Sequence, residues 1–142
     1  MYLLDTNVIS ESRKMAAGRA HPAMARWLNS APTRRLYISV ITVEELEIGT
    51  RRMERRDAQQ GQLLRRWLEQ HVLPTFAERI LPLNLEAARH SAAIQVPDPR
   101  PIRDAWIAAT ALAHDLTLVT RNTRDFMACG ARVLNPWQIE AH

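Results

Sequence analysis

The sequence predicts a three-layer α/β/α fold, in which helices cover both faces of a mainly parallel sheet. Three observations support this prediction. Short apolar runs alternate with helical patterns along the chain, acidic residues directly follow several of these runs, and residues 102–112 are apolar around most of a helix circumference. Strands that alternate with helices are typical of parallel sheets, and a helix without a polar face is buried on nearly every side.

The first half of the chain is predicted to contain two strands, two short helices and a helical arm. Apolar residues at Met24, Trp27 and Leu28 have the i, i+3, i+4 spacing of one helix face. Gly61 is predicted to divide the arm, because glycine inside a helix costs about 1 kcal/mol relative to alanine. The predicted elements are a strand over 2–5, helices over 8–14 and 21–31, a strand over 36–40 and the arm over about 42–74.

The second half is predicted to contain three strands and two full helices. Pro82 confines the strand at 80–83 to an edge of the sheet, because proline cannot donate a hydrogen bond within a central strand. The other predicted elements are a helix over 85–94, a proline-rich loop over 96–101, a helix over 102–112, a strand over 116–120, a turn over 121–125, a helix fragment over 126–128 and a strand over 132–134.

Length and composition are those of one soluble globular domain. The chain has 142 residues, of which 46% are hydrophobic and 24% are charged, and we expect a single domain over residues 1–142. No apolar run approaches the roughly 20 residues that cross a bilayer. Asp5 interrupts the apolar stretch that an N-terminal signal peptide requires. We therefore expect a cytoplasmic protein that does not enter a membrane.

The basic residues are almost all arginine, which favours a polyanionic partner. The formal net charge is +4, the sequence pI is about 10.2, and Lys14 is the only lysine. Arginine binds phosphate through a planar fork of donors.

Cys129 is the only cysteine, so an intrachain disulfide and a thiolate-rich zinc site are excluded. A metal site in this chain would rest on carboxylates, which prefer hard ions such as Mg²⁺ or Mn²⁺.

Four acidic residues stand at or after the ends of predicted strands. Asp5 follows the first strand, and Glu45 lies in the first turn of the helix after the second. Asp104 opens the apolar helix, and Asp125 follows the strand at 116–120. If the strands are parallel, all four acids arrive at the same edge of the sheet. Carboxylates that lie close together repel one another, which costs free energy unless a cation binds between them. The convergence of these acids therefore points to a bound cation.

Each acid also has an ordinary structural interpretation. Asp5 fits the cap of a helix N-terminus. Thr42 and Glu45 have the spacing of a capping box, with Thr42 as the N-cap. Asp104 would complement a helix dipole, and Asp125 would be a solvated loop residue. On local pattern alone these alternatives stay open.

Five segments, in order and spacing from one end of the chain to the other, resemble the PIN-domain family. The similarity is closest to the VapC-type and FitB-like toxins of prokaryotic toxin–antitoxin modules. The segments are Tyr2–Glu11 (YLLDTNVISE), Ile41–Gly49 (ITVEELEIG), Asp104–Ala113 (DAWIAATALA), Leu118–Phe126 (LVTRNTRDF) and Asn135–Trp137 (NPW). The resemblance implies a PIN-like fold with about five parallel strands in the order 3-2-1-4-5.

The resemblance also implies a ribonuclease that depends on Mg²⁺ or Mn²⁺ and leaves a 5′-phosphate and a 3′-hydroxyl. Asp5, Glu45 and Asp104 take the positions of the family's principal acids. Asp5 and Asp104 would hold the main ion, while Glu45 and Asp125 position water or a second ion. Many family members carry an aspartate at the position of Asn122. Either Asp125 serves in its place or Asn122 holds a metal-bound water.

Further residues are predicted to support the site or to bind partners. The expected hydrogen-bonding support consists of Thr6, Asn7, Thr120 and Asn122. A basic stripe at i, i+4 spacing would bind RNA or an acidic antitoxin, or else be a solvated face paired with nearby acids; it consists of Arg51, Arg52, Arg55 and Arg56. The expected partners are RNA, a cognate antitoxin protein and a second copy of the chain.

Two other functions compete with the nuclease hypothesis. Haloacid-dehalogenase phosphatases and response-regulator receivers also begin with an aspartate after the first strand, but they need a lysine later in the chain. Lys14 lies directly behind the first strand, which disfavours covalent phosphoryl transfer. The stronger alternative is a catalytically inert PIN-like module that binds RNA or a partner. A cleavage assay with titrated metal separates this alternative from a nuclease.

Overall fold

Five parallel strands form one sheet in the order β3-β2-β1-β4-β5, as predicted. The computed structural model describes residues 1–139. The central strand pairs Tyr2 with Leu36 on one side and with Thr117 on the other. The strands are β1 (Tyr2–Leu4), β2 (Leu36–Ser39), β3 (Ile80–Leu81), β4 (Thr117–Val119) and β5 (Val133–Leu134).

Helices connect successive strands and pack on both faces of the sheet. The α-helices are α1 (Thr6–Ser12), α2 (Pro22–Ser30), α3 (Val40–Arg56), α4 (Ala58–Trp67), α5 (Leu73–Thr75), α6 (Leu85–Ile94), α7 (Ile102–Ala113) and α8 (Thr123–Met127). A π-helical segment, Leu68–Val72, joins α4 to α5, so the arm continues one residue past Pro74. A 3₁₀ turn, Pro136–Gln138, follows β5. Within residues 1–139, none of the helices has both the length and the hydropathy that crossing a bilayer requires.

Alternation along the central strand creates two separate cores. Leu3 and Leu4 are both fully buried, and successive side chains of a strand point to opposite faces. Leu4 packs in a cluster with Val8 and other residues of α1, α2 and the arm. Leu3 packs in a second cluster with Ile107 of α7 and Phe126 of α8. The sheet is therefore the middle layer of three, as the sequence predicts.

The helix after β2 begins three residues earlier than the capping-box interpretation requires. Ser39 is the N-cap, and its hydroxyl accepts a hydrogen bond from the amide of Ile41 at 3.0 Å. Thr42 is therefore the third residue of α3 and not its cap, and Glu45 lies a full turn inside the helix. The capping-box interpretation is wrong, because the end of β2 already supplies a serine with the geometry of a cap.

The arm turns at Asp57 and not at Gly61 as predicted. The Asp57 carboxylate accepts hydrogen bonds from the amides of Gln59 and Gln60, each at 3.1 Å, and so begins a new helix. Gly61 lies inside α4, where a Cβ atom would stand 2.4 Å from the Cα atom of Glu54 on α3. Glycine is thus required by the close crossing of the two helices, and it does not break either of them.

Several other predicted boundaries differ from the structure, including the end of the edge strand, which stops at Leu81 before Pro82. The first helix begins at Thr6, two residues before the predicted start, because Asp5 caps it. The segment predicted as a turn over 121–125 and a helix fragment over 126–128 is instead a single short helix, Thr123–Met127. Asp125 therefore lies in the first turn of α8 rather than in a loop.

Candidate active site

A cleft of about 460 Å³ opens at the carboxyl ends of β1 and β4. The strands end there because polar residues follow each apolar run, and α1 and α3 both start at this edge. Parallel sheets collect ligands at this edge. The predicted site residues that line the cleft are Asp5, Thr6, Asn7, Glu45, Asp104 and Asn122.

Asp5 is the most deeply buried acid of the cleft. It is 5% exposed, and its two carboxylate oxygens accept hydrogen bonds from the Thr6 amide and the Thr120 hydroxyl, each at 2.8 Å. Its pKa is raised to about 6, mainly by burial and to a smaller extent by the nearby charges of Glu45 and Asp104, against the lowering effect of these hydrogen bonds. The fold thus holds a carboxylate in an environment that disfavours its charge.

Glu45 is held by a chain of hydroxyl groups that the sequence patterns did not predict. The Thr6 hydroxyl donates a hydrogen bond to Glu45 Oε1 at 2.7 Å. Thr6 Oγ1 also lies 3.1 Å from Thr42 Oγ1, and a hydroxyl has only one proton, so Thr42 is the donor in this second contact. Thr42 is fully buried. Its role is to orient Thr6 and, through it, the Glu45 carboxylate.

Asp104 and Asp125 approach the cleft from α7 and α8. Asp104 lies in the first turn of α7, and partial burial, followed by the charges of Glu45 and Asp125, raises its pKa. Asp125 acts on Asp104 in this way, but it does not line the cleft. Asn122 does line it. The structure therefore brings Asp5, Glu45 and Asp104 together and leaves Asp125 behind Asp104.

Thr120 connects the other polar residues to Asp5. Its hydroxyl donates to Asp5 and accepts from the amide of Asn122 at 3.0 Å and from Asn7 Nδ2 at 3.5 Å. The Asn7 side chain in turn accepts a hydrogen bond from the amide of Arg121 at 3.4 Å. These contacts fix the segment after β4 relative to the start of α1.

Removing the Asp5 charge should stabilise the fold when no cation is bound. The pKa of Asp5 is about 6 in the folded chain, against an ordinary value of 3.8, so the folded state binds a proton that the unfolded chain releases. Stability of the wild type therefore falls as pH rises from about 4 to about 6 and stays lower above that. A rise of this size corresponds to on the order of 3 kcal/mol. Asparagine keeps the cap acceptor for Thr6.

We expect Asp5→Asn to unfold at higher urea concentration than the wild type at pH 7.5 in a chelating buffer. At pH 3, below the ordinary value of 3.8, the two chains should unfold at nearly the same concentration, because the wild-type carboxyl is then largely protonated in both states. Asp98→Asn, a change at an exposed loop acid, is the control and should match the wild type at both pH values. Equal stability of Asp5→Asn and wild type at pH 7.5 would contradict the burial argument.

The sequence family that matches this chain covers almost all of the described elements. The PIN domain matches residues 2–128, from β1 through α8 and so across all the acids of the cleft. The chain belongs to the PIN-domain family. The family resemblance noted in the sequence is thereby confirmed.

This PIN domain is similar to named proteins over nearly its whole length. VapC ribonuclease Y4jK from Sinorhizobium fredii is 38% identical, over 97% of this chain and 99% of the relative. Toxin FitB from Neisseria gonorrhoeae is 38% identical, over 96% of this chain and 99% of FitB. A solved structure of FitAcB from Neisseria gonorrhoeae superimposes with a TM-score of 0.88 at 38% identity, over 98% of this chain and 100% of that one. The fold is thus shared with a chain of the solved FitAcB structure.

The oxygen ligands of this PIN domain suit a divalent cation. Within residues 1–139, no three His, Cys, Asp or Glu side chains form a group that would hold a metal ion by themselves. Mg²⁺ does not require such a group, because it keeps several waters and is usually bound by one or two carboxylates together with substrate phosphates. Asp5 and Asp104 supply two carboxylates whose charges interact across the cleft. The residues present therefore fit a hydrated hard ion.

Five cleft residues of the PIN domain were not predicted as site residues. They are Ser10, Glu11, Lys14, Arg121 and Trp137. All except Lys14 lie in the segments that carried the family resemblance, namely YLLDTNVISE, LVTRNTRDF and NPW, so the sequence did contain a signal for them. What it lacked was any indication that the 3₁₀ turn after β5 returns to the cleft.

The predicted basic stripe of the PIN domain lies on the exposed C-terminal half of α3, outside the cleft. Arg51 pairs with Glu47 at 3.1 Å. Among residues 1–139, Arg52, Arg55 and Arg56 have no carboxylate within 4 Å. The solvated-face interpretation therefore holds for part of the stripe, and a role in binding RNA or antitoxin stays a prediction.

Proposed function

We propose that this chain is an endoribonuclease that depends on Mg²⁺ or Mn²⁺ and acts in the cytoplasm as the toxin of a type II toxin–antitoxin pair. The observation that carries the proposal is the grouping of Asp5, Glu45 and Asp104 around one cleft. This grouping occurs in a PIN domain that is similar along nearly its whole length to proteins named VapC ribonuclease and toxin FitB. Asp5 caps α1, but a cap does not require a carboxylate to lie where burial and the charges of Glu45 and Asp104 raise its pKa.

The reaction is hydrolysis of an RNA phosphodiester. Water adds to phosphorus, the bond from phosphorus to the 3′-oxygen breaks, and that oxygen takes a proton, which leaves a 5′-phosphate and a 3′-hydroxyl. A divalent cation, when bound, neutralises charge on the phosphate oxygens and makes water a better nucleophile. Asp5 and Asp104 are the residues that would hold it.

The chain's own residues position the acids before substrate arrives. Thr6 and Thr120 hold the two oxygens of Asp5 in fixed directions. The Thr6 hydroxyl keeps Glu45 turned toward the cleft, where the carboxylate can accept a proton from water or orient it. We assign the positioning of water or of a second ion to Asp125, whose charge acts on Asp104, and the binding of a cleft water to the side chain of Asn122. Such fixed donors and acceptors reduce reorganisation during the reaction.

A cleavage assay with a labelled single-stranded RNA and a DNA of the same sequence tests this proposal. We expect the RNA to be cut when Mn²⁺ or Mg²⁺ is supplied and to stay intact in a chelating buffer. The DNA should resist, because recognition of the 2′-hydroxyl is what separates the two substrates at a given site. Intact RNA over a full metal titration would refute the nuclease and favour the inert binding module.

An antitoxin would bind in the groove between α1 and the helical arm. This groove has a volume of about 210 Å³ and shares Thr6, Ser10 and Glu45 with the cleft. Leu64 and Trp67 of the arm supply its apolar wall. An occupant of the groove would therefore lie directly beside the acids. The structural relatives of this chain include toxin–antitoxin complexes, which supports an antitoxin as the occupant.

Pairing of two copies of the chain also stays a prediction, and light scattering tests it.

Filling the groove should block the antitoxin without harming the fold. Gly49 lines the groove on α3, and a Cβ atom added there meets nothing within 4 Å. We expect Gly49→Leu to weaken antitoxin binding by at least about 30-fold, the effect of losing a 2 kcal/mol hot spot. Its melting temperature should not fall, because glycine is the poorer helix former.

Gly49→Ala is the matched control, since it makes the same helix change with a side chain too small to fill the groove. Calorimetric titration with the cognate antitoxin measures both variants. If Gly49→Leu binds the antitoxin as tightly as Gly49→Ala does, the antitoxin lies elsewhere.

A further inference from the structure

Two cations line the acidic cleft, and they differ in how they are engaged. Lys14 Nζ pairs with Glu11 at 3.0 Å, so this ammonium group is already engaged by a carboxylate. Arg121 has no carboxylate within 4 Å in the part of the chain that the structure describes. In residues 1–139 its side-chain N–H groups also make no hydrogen bond, and only its backbone amide does. The charge of Arg121 helps to lower the pKa of Glu11, but among the described residues its side-chain donors remain unpaired in a cleft of acids.

The position of Arg121 is fixed relative to Asp5. Its amide donates to Asn7, and the next amide along the chain donates to Thr120 Oγ1 at 3.0 Å. The same Thr120 hydroxyl donates to Asp5 at 2.8 Å. Hydrogen bonds through Asn7 and Thr120 therefore fix the backbone of Arg121 relative to Asp5, the carboxylate that we propose acts in cleavage.

The Arg121 guanidinium packs over the indole ring of Trp137. The guanidinium carbon lies 5.6 Å from the centre of the Trp137 ring, within the range of a cation–π interaction. The ring itself is anchored, because the Asn135 side chain accepts a hydrogen bond from the Trp137 amide at 3.0 Å and the ring packs against the core on the α2 side. A guanidinium held in this way loses little freedom when it binds a planar or tetrahedral oxyanion.

We propose that Arg121, supported by Trp137, binds a phosphate of the RNA substrate next to the one that is cut. This inference rests on the proposed ribonuclease function. A polyanion that enters a cleft lined by Asp5, Glu45 and Asp104 is repelled unless fixed positive charge compensates, and Arg121 is the cleft cation free to do so. Arginine forms charge-assisted, two-point hydrogen bonds to phosphate, which lysine does not match. Arg121 is thereby a substrate-binding residue, and Trp137 is a positioning residue.

Steady-state cleavage kinetics with a single-stranded RNA test the pair. Arg121→Gln should raise KM about tenfold or more and change kcat by less than about threefold, because a lost phosphate contact weakens binding before the chemical step. The slope of log(kcat/KM) against log[salt] should become shallower by about 0.7, the contribution of one phosphate contact on a single strand. Arg121→Lys should recover the salt slope but only part of the KM, since it keeps the charge and loses the fork.

The Trp137 variants separate positioning from folding. Trp137→Phe keeps an aromatic face and should stay close to the wild type, whereas Trp137→Leu should raise KM. Combining Trp137→Leu with Arg121→Gln should add little to Arg121→Gln alone, because the ring acts through the arginine. Arg124→Gln, a change at an exposed arginine of α8 outside the cleft, is the control and should leave KM and the salt slope unchanged.

The outcomes distinguish this inference from the function on which it rests. A wild-type chain that neither binds nor cuts RNA overturns the proposed function and this inference with it. A wild type that cuts RNA, together with an Arg121→Gln variant of unchanged KM and salt slope, overturns the inference alone. The inference also fails if Arg121→Gln binds RNA normally and loses affinity for the antitoxin, since the arginine then serves the protein partner.

Discussion

An Asp104→Asn variant is expected to fold like the wild type and to lose RNA cleavage by about 1,000-fold or more. Asp104 lies in the first turn of α7 at the edge of the cleft, and partial burial and the charges of Glu45 and Asp125 raise its pKa. Its charge is thus costly to the free protein, and asparagine of the same shape removes that cost. If Asp104 helps to hold the cation, the loss of this ligand removes several kcal/mol of transition-state stabilisation.

Three measurements on Asp104→Asn check this expectation. Cleavage of RNA with Mn²⁺ should be at background level, expression in cells should no longer be toxic, and the urea midpoint in a chelating buffer should equal or exceed that of the wild type. Asp98→Asn removes an exposed loop carboxylate and should retain full activity and toxicity. An Asp104→Asn chain that is as toxic as the wild type would remove Asp104 from the site.

A Glu45→Gln variant is expected to be folded and to cleave RNA at least about 100-fold more slowly. Glu45 lies a full turn inside α3, so the substitution touches no helix cap. Glutamine keeps an oxygen that can accept the hydrogen bond from Thr6, and only the charge is lost. The expected loss matches the upper range for disturbing groups that orient the ligands of a metal.

The neighbouring residue provides a matched control for Glu45→Gln. Glu44 is exposed, pairs with Arg103 at 3.4 Å on the outer side of the helix, and does not line the cleft. Glu44→Gln should therefore retain wild-type kcat. The melting temperatures of both variants should lie close to that of the wild type. Full activity in Glu45→Gln would show that Glu45 is scaffold and that the other acids act without it.

The arrangement of the acids could be predicted because it follows from the sheet. Asp5 comes directly after one buried strand, and Glu45 lies in the first two turns of the helix after another. Parallel strands present their carboxyl ends at the same edge, so residues far apart in sequence were expected to meet. Strand order was predicted from the family resemblance rather than from periodicity, since apolar runs show which segments are strands but not which strands are neighbours.

The errors of prediction came from local patterns that have two physical explanations. The spacing of Thr42 and Glu45 fits a capping box, yet both hydroxyl and carboxylate are used in a contact with Thr6, which lies 36 residues from Thr42. Gly61 fits a helix break, yet it serves a close helix crossing. A single sequence shows which residue type stands at a position. It does not show whether the local backbone or a contact with a distant residue requires that type.

Arg121 and Trp137 show a limit of a different kind. They are separated by α8 and β5, and they meet only because the 3₁₀ turn packs against α2 and returns to the cleft. No periodicity, charge pattern or cap signal relates one residue to the other. Their contact is a result of tertiary packing alone, and it became visible only in the structure.

The most direct test of carboxylate-dependent RNA hydrolysis is to map the ends of the fragments that the purified chain produces from pooled cellular RNA. Wild type with Mn²⁺ should generate new 5′-phosphate ends at recurring positions, and these ends should be absent with chelator and absent with Asp104→Asn. Fragments that end in a 2′,3′-cyclic phosphate, or that form equally well in chelator, would contradict the account. Such products arise when the ribose 2′-hydroxyl attacks the phosphate, a reaction that requires neither water as nucleophile nor a cation held by Asp5 and Asp104.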